Sequence, residues 1–343
     1  MAKRMAIAAA AERRALGMDR LAEDYAKALP GRAKLRGAGK PSAGYVAAEL
    51  ARVKASIKDM KAGSKSVADI GDRDVRAMLR ANAERPSAAR HRFGALGRFF
   101  DWCRDEWMIV VNPCALIGRE RRPRPIPARM HYLRPEGVAA LWNSAGEAED
   151  LEPVHRDFLR FLIAMPCRRT EAATLDWAHL DLAAAEWTQP GALTKNGDPH
   201  RLRLHPLVLE LLRDRHRKAG EPKAGLVFPA PRAGKALTTF SAMKAALEAK
   251  TGRTGWRIHD FRRSFATALG EAGVAEPVVD AVLNHRQAAT RGGVLGVYQR
   301  AQRWPEQVKA MEVWGDVLAG VIESLGRARV TGSAVVLRGE ADA

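Results

Sequence analysis

His259 and Arg262 stand three residues apart where an amphipathic helix is expected to begin, over Phe261 to Glu271. Imidazole and guanidinium both donate hydrogen bonds to anions. A helix N-terminus adds unpaired N–H groups and a favourable dipole for the same charge. The pair therefore suits an anionic group, and other residues could help to hold it. Arg168 follows the apolar run Phe158 to Met165, with Glu171 three residues on. On a helix that spacing lets the carboxylate hold the guanidinium in place. Lys195 precedes Asn196-Gly197, a strong hairpin-turn signal. His285 closes a further helical stretch in Leu283-Asn-His, and Tyr298 lies in Gly296-Val-Tyr-Gln-Arg300. Singly, each has an ordinary explanation: a structural ion pair, a solvated lysine, a helix cap, a half-buried ring. Their joint order carries the case for chemistry.

The elements that must position these groups can be read from periodicity. Residues 1–40 are basic and rich in Ala and Gly, as in a partly helical N-terminal arm. Val46, Leu50, Val53 and Ile57 recur at helical spacing over Tyr45 to Lys61. A second helix is expected after Asp72 as N-cap, and a third after Ser87, through Phe93, Leu96, Phe99, Phe100 and Trp102. Asn112-Pro113 ends that region. These segments predict a small helical domain over residues 41–118. Residues 119–131 hold three prolines and five arginines, the pattern of a stiff, extended linker.

Residues 132–326 mix both periods. Helices are predicted near Pro135, over 157–164, 206–218, 239–249, 261–271, 276–284 and 305–325. Strands are predicted at 186–188, 191–194 and 200–204, the last two joined by a hairpin at Asn196-Gly197. Residues 327–343 lack a pattern and read as a tail. The expected fold class is thus mostly α with a small β-sheet.

Composition narrows the partners. The chain of 343 residues has 57 Lys and Arg against 39 Asp and Glu, a formal net charge of +18. That imbalance attracts polyanions, nucleic acid first. Residues 1–130 carry net +14 and the remainder only +4. The first part reads as an electrostatic grip and the second as a balanced domain suited to catalysis. Three cysteines, Cys103, Cys114 and Cys167, form no C-x-x-C pair, so neither a disulfide framework nor a zinc site is indicated. No run of 18 apolar residues predicts a transmembrane helix. Charges at Glu12, Arg13 and Arg14 interrupt the apolar N-terminus and argue against a signal peptide. A cytoplasmic protein is expected.

The ordered positions resemble the catalytic domain of the tyrosine recombinase, or phage integrase, family. The matching pieces are Cys167-Arg-Arg-Thr-Glu-Ala-Ala-Thr-Leu-Asp-Trp177, Leu193-Thr-Lys-Asn-Gly197, His259-Asp-Phe-Arg-Arg-Ser-Phe-Ala-Thr267, Leu283-Asn-His285 and Val297-Tyr-Gln-Arg300. The first domain is similar, more loosely, to that family's helical, SAM-like core-binding domain. The resemblance implies that Arg168, Lys195, His259, Arg262 and His285 surround a scissile phosphate, with Glu171 as a buttress and Tyr298 as nucleophile. This chain departs from the family pattern at Pro166 and Asn284, where the family usually has Gly, and in a longer interval of 13 residues between His285 and Tyr298.

The chemistry fits the residue types. Two guanidinium forks suit the nonbridging oxygens of a pentacoordinate phosphorane. Tyrosine can attack phosphorus and hold it as an ester once cations or a base ease its deprotonation. His259 is then the candidate proton shuttle. By resemblance, Lys195 protonates the leaving 5′ oxygen and His285 donates to a phosphate oxygen. Neither metal nor other cofactor is required. The implied function is a site-specific DNA recombinase acting through a 3′-phosphotyrosyl intermediate in integration or excision of a mobile element. Implied partners are double-stranded DNA attachment sites, further copies of the chain in a tetramer on DNA, and an accessory DNA-bending protein. The alternatives are a type IB-like topoisomerase and a DNA-binding protein without catalysis.

Overall fold

The computed structural model describes residues 11–13, 15–32, 40–127, 129–194, 197–232, 234–285 and 303–331. The chain divides into two compact units, Met1–Arg129 and Met130–Ala343.

The first unit is helical, built from α1 (Met18–Ala28), α2 (Ala43–Met60), α3 (Asp72–Ala81) and α4 (Pro86–Asp105). Helix α1 lies within the stretch read from sequence as an arm. Its Leu21 and Tyr25 are buried with Phe99 and Trp102 of α4, so burial of this apolar face recruits residues 18–28 into the unit's core. The hydroxyl of Ser42 accepts from the Tyr45 N–H and caps α2. Glu49 is fully buried on α2, where Arg98 satisfies it in bidentate fashion at 2.7 and 2.8 Å.

The two caps expected from sequence both move by one or two residues. Gly71, not Asp72, is the N-cap of α3, because the Asp74 carboxylate reaches back to the Gly71 N–H at 3.0 Å. Pro86 occupies the first position of α4, ahead of Ser87, where its missing N–H costs nothing. Asn112 closes the unit: its side chain accepts from the Cys114 N–H and donates to the Gly97 carbonyl, both at 2.9 Å.

In the second unit, α5 (Pro135–Gly146) precedes α6 (Pro153–Ala164), the centre of the core, where Phe158, Leu159, Phe161, Leu162 and Ile163 are all buried. The short α7 (Arg169–Ala173) follows. A three-stranded antiparallel sheet, β1 (Leu180–Asp181), β2 (Glu186–Gln189) and β3 (His200–Arg203), pairs in the order β1-β2-β3. Trp187 faces Leu202 across it, and both are buried. Helices α8 (Pro206–Lys218), α9 (Phe240–Thr251), α10 (Asp260–Glu271), α11 (Glu276–Val282) and α12 (Trp304–Thr331) complete the described elements.

The strand expected at 191–194 does not form. Gly191–Leu193 is a 3-10 turn, and β2 pairs directly with β3. The Thr194 hydroxyl reaches the carbonyls of Gly191 and Asp198 at 3.1 and 2.8 Å and folds the connection on itself. A side chain on Gly191 would stand 2.4 Å from the Gly197 carbonyl oxygen, so only glycine permits that approach. Helix α12 also runs past residue 326, to Thr331, with Arg327 and Glu323 paired one turn apart. Its Met311, Trp314 and Leu318 enter the core. The Trp314 indole N–H donates to the Ala164 carbonyl at 2.8 Å, and His205 Nε2 meets the same oxygen at 3.2 Å. No described helix is long and apolar enough to cross a membrane.

Candidate active site

The site is built from three chain reversals. The first follows α6. Its core stripe ends at Met165, Pro166 stops the helix, and Arg168 becomes the N-cap of α7. Glu171 then clamps Arg168 twice, taking its main-chain N–H at 2.7 Å and Nη1 at 2.6 Å. Glu171 is buried and Arg168 only partly so, which leaves part of the guanidinium facing outward.

The second reversal is the entry to α10. Asp260, fully buried, accepts from the Arg257 N–H at 2.8 Å, from Arg263 Nη1 at 2.5 Å and meets His131 Nδ1 at 3.2 Å. These contacts fix the loop that presents His259 as N-cap. Arg262 lies a turn further on and is buried. Its Nη1 donates to the Pro166 carbonyl and its Nη2 to the Leu283 carbonyl at 2.7 Å. Among the described residues, the Nε of Arg262 meets no hydrogen-bond acceptor.

The third reversal ends α11. The N–H of His285 bonds the Asp280 carbonyl at 3.0 Å and that of Asn284 bonds the Ala281 carbonyl at 3.1 Å. This is a Schellman turn, which requires a left-handed residue at Asn284. Asn284 has φ +48°, a conformation asparagine tolerates better than most residues, so it can stand where glycine is common. The turn delivers two successive carbonyls to the site: Leu283 to Arg262, and Asn284 to Arg168 at 3.1 Å.

Arg168, His259 and Arg262 line one cleft of about 570 Å³, along with Arg169, Lys244 and Arg257. His285 joins them through Arg262, whose Nη2 lies 3.3 Å from its Nε2. Four of the six positions singled out in the sequence therefore meet. Lys195 and Tyr298 lie outside the described residues.

The electrostatics follow from crowding cations in a partly desolvated place. Burial first, and the Arg168 guanidinium second, push Arg262 down to about 10, which leaves it charged at neutral pH. His259 is held below the ordinary imidazole value, by desolvation first and then by Arg262 and Arg263. His285 is lowered in the same way, by desolvation and Arg262, with the Asp280 carboxylate acting in the opposite sense. Both imidazoles thus favour the neutral form, able to accept a proton. Such an arrangement can bind a group with one negative charge and several oxygens, and relay protons beside it. Among the described residues no three His, Cys, Asp or Glu side chains gather as a metal-ion site.

Sequence reasoning missed Asp280, the main-chain acceptors and the role of Asp260. Asp280 had a signal: an acid in the last turn of a helix opposes the helix dipole and calls for a local cation or donor. Carbonyls of Pro166, Leu283 and Asn284 had none.

Comparison with known proteins agrees with this geometry. Residues 131–293 match the model of the phage integrase family. Prophage integrase IntZ of Escherichia coli (strain K12) is 26% identical over 268 residues, 77% of this chain, and the chain spans 64% of the length of that relative. Among solved structures, a lambda integrase dimer bound to a COC' core site superposes with TM-score 0.61 at 16% identity, covering 83% of this chain and 79% of that one. A lambda integrase tetramer bound to a Holliday junction gives TM-score 0.62 at 16% identity over 80% and 79% of the two chains. At such identities the likeness is one of fold. Residues 131–293 of the chain are thus similar in sequence to the phage integrase family, and the fold is similar to that of solved integrases.

Proposed function

We propose that this protein is a site-specific DNA recombinase, an integrase that cuts and rejoins duplex DNA through a 3′-phosphotyrosyl intermediate. The observation that carries the reading is the convergence of Arg168, His259 and Arg262 on one cleft, with His285 hydrogen-bonded to Arg262. In this reading the two guanidinium groups hold the nonbridging oxygens of the scissile phosphodiester. Their positions are fixed in advance by Glu171 and by main-chain carbonyls, so little reorganisation accompanies charge development at phosphorus. Tyr298 attacks phosphorus; the bond to the 5′ oxygen breaks; Lys195 gives that oxygen its proton. His259 takes the tyrosyl proton. The ester retains the bond energy, and attack by a second 5′ hydroxyl reverses the step.

The substrates are DNA attachment sites of a mobile element, integrated or excised by a tetramer of this chain with the help of a DNA-bending protein. The lambda integrase structures, on a core site and on a Holliday junction, support the assembly by analogy of fold. The test is a suicide duplex, nicked beside the cleavage point and read as a protein–DNA adduct on a denaturing gel. Wild type forms the adduct and Tyr298→Phe binds DNA without forming it. Adduct of normal yield from the Phe variant would overturn the assignment of the nucleophile.

A further inference from the structure

His285 sits between an acid and a cation. Its Nδ1 lies 3.1 Å from Asp280 Oδ1 and its Nε2 lies 3.3 Å from Arg262 Nη2. Guanidinium has no acceptor, so Nη2 donates and Nε2 must carry a lone pair. The single proton of a neutral ring is then on Nδ1, donated to Asp280. Both contacts define one tautomer, and it is the wrong one for a phosphate oxygen. Nε2, the nitrogen facing the cleft arginine, is an acceptor, and a phosphate oxygen is another acceptor.

We propose that Asp280 is a positioning residue that sets the tautomer of His285 and lets it take up a proton from solvent when a phosphate group enters the cleft. The proposal rests on reading the cleft as a phosphodiester site. In the free protein Arg262 satisfies Nε2. An entering phosphate oxygen competes for Arg262 Nη2 and brings a negative charge beside the ring. One proton from solvent then occupies Nε2, and the imidazolium donates on both sides, to phosphate and to Asp280. The charged groups facing the ring are Arg262 from α10, Arg168 from the turn before α7, and Asp280 from α11; His259 at the start of α10 adds a further titratable group. The two arginines oppose protonation and Asp280 favours it, so the ring is neutral until an anion joins the carboxylate. A carboxylate that orients an imidazole and stabilises its cation is a recurring device in proton-transfer sites.

The Schellman turn makes this geometry local. Asp280 and His285 are joined by the 6→1 hydrogen bond of the turn, so the ring and the carboxylate are brought together by the same backbone that supplies the Leu283 and Asn284 carbonyls.

The experiment is a pH titration of ¹⁵N-labelled full-length protein, observing histidine side-chain nitrogens, with inorganic phosphate as the probe anion and His285→Gln to assign the signal. Wild type should show the Nδ1–H tautomer of His285 at neutral pH. Phosphate should move its midpoint to higher pH. In Asp280→Asn the midpoint of the free protein should move to lower pH, and phosphate should raise it less. An Nε2–H tautomer in wild type, a midpoint that phosphate leaves in place, or one that the Asn substitution leaves in place would each overturn the proposal. The wild-type tautomer decides the matter even if the Asn variant fails to fold. None of these signals depends on strand cleavage, so failure of the adduct assay would refute the recombinase reading and leave the tautomer as measured.

Discussion

Glu171 holds Arg168 by both ends of one carboxylate: Oε2 takes the main-chain N–H and Oε1 takes the guanidinium. The side chain of an acid three residues on thus fixes both the start of α7 and the aim of the arginine. Glu171→Gln keeps the shape but removes the charge. Adduct formation should fall by roughly 10²-fold through misplacement of the guanidinium. The measurement is the single-turnover cleavage rate alongside thermal denaturation. An unchanged rate would mean that the Asn284 carbonyl alone suffices to aim Arg168.

Arg168→Lys and Arg262→Lys preserve charge and lose the planar fork. Each should lower cleavage by about 10²-fold or more, as loss of a preorganised donor does. Arg262→Lys should do more structural damage, since one amine cannot reach the Pro166 and Leu283 carbonyls together. Arg169→Lys is a milder comparison, because Arg169 lies over the Phe240 ring at 4.5 Å. Arg263 is a poor control: it pairs with the buried Asp260 that fixes the His259 loop. Cleavage rates and melting temperatures of the three Lys variants separate chemistry from folding. Near-wild-type rates in both Arg168→Lys and Arg262→Lys would make these arginines structural.

Acid should destabilise the second unit through two buried histidines. Burial pushes both His200 and His205 down to about 4. Their folded values lie below the ordinary 6.5, so the unfolded chain binds the protons first as pH falls. Stability is intact above pH 6.5, falls between 6.5 and 4, and has no further contribution from these rings below that. Within the window each histidine contributes a slope of at most about 1.4 kcal/mol per pH unit. His205→Gln keeps a donor for the Ala164 carbonyl and removes the titration. Urea unfolding at several pH values should show a shallower acid slope in that variant. An identical slope would mean that His205 carries none of the acid sensitivity.

The charge asymmetry predicts that the first unit and its arginine-rich end dominate salt-sensitive DNA binding. Arg122 is tied by its guanidinium to the carbonyls of Ile117 and Ala115 at 2.8 and 3.2 Å, so its removal would disturb the backbone. Arg121 and Arg124 are the cleaner choice, both exposed. Replacing both with Ala should flatten the slope of log K against log salt by up to about two units, at about 0.9 for each phosphate no longer neutralised. Specific and random duplexes should weaken alike. Fluorescence anisotropy across a salt series reads the slope. A slope equal to wild type would reduce this charge to a solubility feature.

Helices were legible in the sequence where prolines and apolar periodicity agreed. The stretch expected at 206–218 is helical over Pro206–Lys218, with Pro206 at its first position, and 261–271 gains only Asp260. The failed strand at 191–194 shows the limit. The expectation leaned on the neighbouring Asn196-Gly197 turn signal, but the Thr194 hydroxyl and the Gly191–Gly197 approach act across the connection, invisible to a local pattern. The arm marks the same limit: its partly helical character is legible, but the burial of α1 depends on Phe99 and Trp102 far along the chain. In the site, charged side chains announce themselves by type, whereas Asn284 stands out in the sequence only as a departure from the glycine usual in the family it resembles. The acceptors that hold the arginines are carbonyls, identical at every residue, so no spacing reveals them.

That last feature decides how a mutational survey of this protein would look. Arg262 leans on the oxygens of Pro166 and Leu283, and Arg168 on that of Asn284. Exchanging the side chains at these three positions removes none of those oxygens. An alanine scan would therefore pass over Leu283 as a packing residue and would register Asn284 only through its backbone angle. The anchors would surface under chemistry aimed at the main chain itself, such as an ester in place of an amide, which weakens the carbonyl as an acceptor. In a scan of side chains alone, Arg262 would look self-sufficient and Arg168 would seem to rest on Glu171 alone, although the peptide backbone also sets where both point.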